Sequence, residues 1–232
     1  MPHPLEQLRY VARGWSAGDD LPATEVAAVL ADLAERSPNM LLQACRRMIE
    51  YFPSSGVAWW LSARALASPA PSEAIWEAAV ELEEDPTAEQ LAAALPAGAV
   101  VAVSPLSTWV SSALRRRRDV QAAKKLAPAG ILLVTVTAAG PSAVLATARA
   151  VSVADAAARA GKKVWAVAPR GAVLPAELWE HLLPMALSGD ETVVIEAAAL
   201  DAVVGPEGEA PPAVALARPG CPAVAELRGW RA

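Results

Sequence analysis

Aromatic residues other than tryptophan nearly vanish from this chain: one phenylalanine and two tyrosines stand among 232 residues. With heavy use of alanine, valine, arginine and proline, that bias reads as the stamp of a GC-rich coding sequence. Alanine-rich stretches therefore count for less as evidence of helix. Cysteine is as scarce. Cys45 and Cys221 form neither a disulfide framework nor a zinc pattern, and reduced thiols in a cytoplasmic protein are expected. His3 and His181 have no ligand spacing, so neither a metal nor a cofactor is expected. No apolar run reaches the ~18 residues that span a bilayer, and Met1 to Arg13 lacks the apolar core of a secretory signal. A net charge of −5 argues against general nucleic-acid binding. What is present, 54% apolar and 19% charged residues, is the composition of a globular protein of one or two domains.

Residues 1–96 read as a helical domain of six helices. The first carries Leu5, Leu8 and Val11. Thr24 is placed to cap Glu25 to Arg36, whose Val26, Val29, Leu30 and Leu33 share a face. Asn39 to Tyr51 follows Pro38. Val57 to Ala67 brings Trp59 and Trp60, which as neighbours point in different directions. One is expected in the helical core, the other against the α/β domain or a second subunit. Ser72 is placed to cap the next helix, and Thr87 with Gln90 forms a capping box for the last.

After Gly98 the pattern changes. Short apolar runs (Ala99 to Val103, Ile131 to Thr137, Val164 to Ala168, Val193 to Ile195) alternate with helical segments Ser107 to Arg118, Val153 to Ala160 and Pro175 to Leu183. Runs of this kind mark strands buried on both faces of a parallel sheet. Ser142 to Leu145 fits a strand or a helix start. Residues 97–232 are thus expected to form a reduced Rossmann-like α/β domain, mainly parallel and flanked by helices, with an irregular tail after Gly205.

Gly98 to Arg118 organises the whole. A buried strand feeds a hydroxyl-rich loop, Ser104 to Thr108, at a helix N-terminus. Free N–H groups and the helix dipole there favour an anion. The ordinary use of Ser107 is as a helix cap, and that of Arg115 to Arg118 is as cations at a helix C-terminus.

The run Val101-Ala-Val-Ser-Pro-Leu-Ser-Thr-Trp-Val-Ser-Ser-Ala-Leu114 resembles the strand–loop–helix of the translation initiation factor 2B alpha/beta/delta subunit family, where the loop is typically Thr-His-Ser-x-Ser-Ser-Thr-Val. That superfamily includes methylthioribose-1-phosphate and ribose-1,5-bisphosphate isomerases. Gly140-Pro-Ser-Ala-Val with Ser152 to Pro169, and Leu200 to Gly208, are similar to its later segments. Arg46-Arg47-Met-Ile-Glu with Val57 to Leu61 is similar to its helical domain. The resemblance implies a phosphate-binding pocket, a homodimer and, in the isomerases, a catalytic cysteine and aspartate. By position these fall at Ser104 and Ser142. A serine has neither the acidity of a thiol nor an evident base beside it, so acid–base chemistry is poorly supported. The family's Asn-Lys pair is missing, leaving Arg149 as its cationic stand-in. Between Arg118 and Ile131 there is no evident room for one βα unit.

The expectation is an initiation factor 2B-like protein that binds a phosphorylated sugar or nucleotide through Ser104, Ser107, Thr108, Gly140, Ser142, Arg149 and Arg170, in a binding or regulatory role. An aldose–ketose isomerase is the alternative, with Ser104, Ser142, Asp201 and Glu207 as catalytic candidates. A further alternative is an interaction module whose pocket Leu106 and Trp109 have filled.

Overall fold

A computed structural model describes residues 23–188 and 191–228. The expected first helix, with Leu5, Leu8 and Val11, lies outside the described residues, as does His3. The helical half comprises α1 (Ala23–Arg36), a 3-10 turn (Pro38–Met40), α2 (Leu41–Tyr51), α3 (Gly56–Ala67), α4 (Pro71–Glu83) and α5 (Thr87–Ala94). Three expected caps have other uses. The hydroxyls of Thr24 and Ser72, both inside helices, donate to Glu83 and Glu35 of neighbouring helices at 2.7 Å. Thr87 is itself the first residue of α5, and its N–H and hydroxyl both donate to Asp85 Oδ1 at 3.0 and 2.6 Å. The carboxylate two residues upstream satisfies the N-terminus in place of a capping box.

The second half follows as β1 (Val100–Ser104), α6 (Thr108–Arg116), β2 (Gln121–Ala122), β3 (Ile131–Thr135), β4 (Ala138–Ala139), β5 (Ala143–Thr147), α7 (Ala148–Arg159), β6 (Lys163–Val167), α8 (Ala176–Ala186), β7 (Thr192–Glu196), β8 (Ala202–Gly205), β9 (Gly208–Ala210) and α9 (Pro212–Ala215). The main sheet runs β2-β1-β3-β6-β8-β9, parallel except for β9. Its strands alternate as a doubly covered sheet requires. Val101, Ile131, Leu133, Trp165 and Val167 pack with α5 and α6. Ala102, Leu132, Val134 and Ala166 pack on the other face with Ala150, Ala154 and Ala157 of α7.

Two strand expectations change. Val193 to Ile195 is not a strand of the parallel sheet. As β7 it pairs antiparallel with β5, in a second sheet ordered β4-β5-β7. The parallel strand beside β6 is instead β8, just before the segment read as tail. A two-residue strand, β2, does fit between Arg118 and Ile131, parallel to β1; no helix follows it before β3. The segment Ser142 to Leu145 belongs mostly to β5, a strand.

The hydrophobic core crosses the two halves. Leu30, Met48, Trp59 and Ile75 pack in one cluster with Leu145 of β5, Leu178, Trp179 and Leu182 of α8, and Cys221, Val224 and Leu227 of the C-terminal segment. That segment is therefore a strap. Leu216 enters the core under the sheet, and residues 221–227 enter the helical core, where Arg46 donates to the Glu226 carbonyl at 2.9 Å.

Candidate functional site

The chain leaves β1 towards β2 on one side and returns to β3 on the other, so the carboxyl ends of β1 and β3 flank the topological switch point. Ser104 ends β1 and Thr135 ends β3. Ser107 caps α6: its Oγ accepts from the Val110 N–H at 3.4 Å and from the Thr135 hydroxyl at 2.9 Å. Ser107 and Thr135 thus satisfy each other. Among the described residues no carboxylate hydrogen-bonds to Ser104, Ser107 or Thr135. Thr108 opens α6 and is exposed.

Arg115 to Arg118 lie at the far end of α6 and cannot reach that loop. Arg116 pairs with Glu89 at 3.2 Å, and Arg117 donates to the Ala92 and Leu95 carbonyls at 2.5 and 2.7 Å. Arg117 also bonds Asp119, which with the Gly98 N–H holds that carboxyl well below the usual carboxylate range. This is a latch between α5 and α6.

Gly140 and Ser142 do not end a parallel strand. They form the turn of the β4–β5 hairpin, where the Gly140 N–H donates to the Ala143 carbonyl at 2.9 Å and Ser142 is exposed. A Cβ on Gly140 would stand 2.2 Å from the Trp179 ring, so close packing is sufficient reason for this glycine. Arg149 lies exposed in the first turn of α7, behind the Thr147 cap. Asp201 sits at the amino end of β8, the wrong edge for the strand-end site. Its Oδ2 accepts from the Val164 N–H at 2.7 Å. His181 belongs to α8, and its Nδ1 lies 3.2 Å from the Glu177 carbonyl. Among the described residues no group of histidine, cysteine or carboxylate side chains could hold a metal ion.

Arg170 lies elsewhere on the same edge, at a cavity of about 130 Å³ over the carboxyl ends of β6 and β8. Four segments wall it: Trp60 of α3, the loop carrying Arg170, the β8–β9 turn with Glu207, and the strap with Arg218. Trp60 is 1% exposed, and its indole N–H donates to the Gly220 carbonyl at 2.8 Å. Gly205 forms part of the lining, where a Cβ would come within 2.9 Å of the Ala168 carbonyl. Arg170 is braced by α4 and the turn after it: its Nη1 is 3.5 Å from Glu81 of α4, and its backbone N–H donates to Asp85 of the turn at 2.9 Å. Its Nε is buried with no hydrogen-bond partner. Arg64 shares Glu81 at 2.7 Å, with its guanidinium 5.1 Å over the Trp60 ring. Arg218 pairs with Glu207 at 3.1 Å. Three guanidiniums (Arg64, Arg170, Arg218) thus meet three carboxylates (Glu81, Asp85, Glu207), and of these the cavity lining itself carries Arg170, Arg218 and Glu207.

Of the expected site residues, the structure brings Arg170 and Glu207 to this cavity, while Ser104, Ser107 and Thr108 stand together at the switch point. Trp60, Arg218 and Thr135 were missed as site residues. Arg218 was hidden in a Pro/Gly-rich tail, and its Arg-Pro-Gly context signals only a turn.

No family model matches the chain, and no curated protein does. Solved structures do match in fold. The translation initiation factor eIF-2B of Pyrococcus horikoshii OT3 superposes with a TM-score of 0.73 at 14% identity, over 93% of this chain and 99% of that one. The tetrameric eIF2B-beta2-delta2 complex of C. thermophilum gives 0.67 at 16% identity, covering 92% and 93%. The 5-methylthioribose 1-phosphate isomerase of P. horikoshii OT3 gives 0.58 at 13%, covering 90% and 85%. The chain therefore has the α/β fold shared by initiation factor 2B subunits and this isomerase. The resemblance carried by residues 101–114 holds at the level of fold.

Proposed function

We propose that this protein binds a small phosphorylated sugar or nucleotide at the carboxyl edge of its sheet and does not isomerise it, serving as a cytoplasmic binding or regulatory protein that works as a homodimer. The observation that carries this is the cavity between Arg170 and Arg218, whose lining holds these two guanidiniums and one carboxylate, Glu207, and where one guanidinium N–H is buried without a partner. Glycine-lined strand ends let a ligand approach the backbone. The fold likeness to an assembled initiation factor complex supports self-association.

Isomerisation requires an acid and a base at the sugar carbons. Among the described residues lining the cavity, Glu207 is the one carboxylate, and Arg218 engages it. Asp201 is on the opposite edge. A filled ancestral pocket is also poorly supported, because Leu106 is 68% exposed and the β6–β8 cavity is open.

A thermal-shift series with sugar phosphates and nucleoside monophosphates tests the reading. A ligand that binds the native state at a hundred times its Kd stabilises by about 2.7 kcal/mol and raises the melting temperature. Arg170→Ala should remove most of the shift. No shift at millimolar concentration, or turnover of an aldose phosphate to its ketose, would overturn the proposal.

A further inference from the structure

We infer that Glu207 is an internal competitor for the ligand's anionic group, an autoinhibitory contact that holds Arg218 until a phosphate displaces it. This rests on the phosphate reading of the cavity. The two arginines of the lining are neutralised differently. The counter-ion of Arg170, Glu81, belongs to α4 and is not part of the lining, so an anion in the cavity can approach Arg170 without displacing a lining carboxylate. The counter-ion of Arg218 lies inside the lining, on the β8–β9 turn. Glu207 takes one donor of Arg218, Nη1, and an anion gains that donor only by replacing the carboxylate.

The contact is built to yield. Glu207 and Arg218 are 74% and 63% exposed, so solvent screens the pair and its loss costs the fold little. The turn does not depend on it. Gly205 and Gly208 are backbone partners in the β8–β9 ladder, and Gly208 takes φ +102, which a glycine accepts without strain. Arg218 is tied to the main chain of the strap by its N–H to the Ala215 carbonyl at 3.3 Å, so the guanidinium can turn while the backbone stays. Glu207 and Arg218 therefore form a switchable pair on a fixed frame. A phosphate dianion brings more charge to Arg218 than one carboxylate offers, and exchange favours it.

Titration calorimetry with inorganic phosphate at pH 8 tests this on wild type, Glu207→Gln, Arg218→Ala and the double variant. Glu207→Gln should bind phosphate about three- to fivefold more tightly, the factor expected for releasing an exposed pair, and Arg218→Ala more weakly than wild type. In the Arg218→Ala background the Glu207→Gln gain should disappear, since no guanidinium remains to be released. A gain that persists without Arg218 would make Glu207 a general field effect and overturn the inference. Wild-type binding with no gain in Glu207→Gln would overturn it while leaving the phosphate reading intact. Absence of binding in both proteins would overturn both.

Discussion

One sheet edge carries two candidate sites, and they differ in kind. At the β1–β3 end stand neutral hydroxyls, with Ser107 accepting from both its own helix and Thr135. At the β6–β8 end stand two guanidiniums, a buried tryptophan and a cavity. The two strand pairs are neighbours in the sheet, their centres two strand spacings or about 10 Å apart. The rule that ligands lie at the switch point favours the first; the walls favour the second. Strand ends alone do not make a pocket. Here α3 and the strap close over β6 and β8, and the bond from the Trp60 indole N–H to the Gly220 carbonyl ties them together.

Removing the tryptophan should therefore break the comparison most severely. Trp60→Ala deletes the wall, the bond to Gly220 and the surface beneath Arg64. A buried Trp truncated to Ala costs about 3–5 kcal/mol, measurable by urea denaturation, and phosphate binding should be lost with it. Retained phosphate binding in the folded variant would mean the anion does not use this cavity.

The switch-point end is expected to respond more weakly, and only in stability. Ser107→Ala removes a helix cap and the acceptor of the Thr135 hydroxyl, for about 1 kcal/mol. Ser107→Asp keeps a capping oxygen and suits the helix dipole, so its stability should stay near wild type. It places a negative charge where a phosphate at this loop would sit. The phosphate-induced melting shift should survive in both variants. Its loss in Ser107→Asp alone would move the site to β1–β3 and sharpen the comparison in the opposite direction.

The sequence carried the layout of the fold further than the site. Continuous apolar runs located β1, β3 and β6 to within a residue or two, since both faces of those strands are covered. It misjudged β7 because Thr192 to Glu196 has the same apolar look in an antiparallel pair as in a parallel one. Gly140 looked like a strand-end glycine, yet the atom that demands it is the ring of Trp179, 39 residues away. Arg170 was legible because it follows a parallel strand directly. Arg218 was not, because only the folding back of the strap brings it opposite Glu207.

The strap itself offers the finest test, through the two cysteines. Burial pushes both thiols up to about 12. Between about pH 9 and 12 the unfolded thiols lose protons that the folded ones keep, so their contribution to stability is full below pH 9 and falls as pH rises through that window. Neither thiol should react while its surroundings stay packed. Their surroundings differ. Cys45 is 0% exposed within α2, whereas Cys221 is 8% exposed and follows the glycine that Trp60 holds. Local opening of the strap should release Cys221 alone, because segments with few packed neighbours open below the global unfolding free energy. A disulfide-exchange reagent at pH 8 should thus modify Cys221 severalfold faster than Cys45. Inorganic phosphate should slow the first reaction without changing the second. Equal rates, or a rate for Cys221 indifferent to phosphate, would mean that the strap opens only with the whole molecule and that the β6–β8 end is no more adaptable than the switch point.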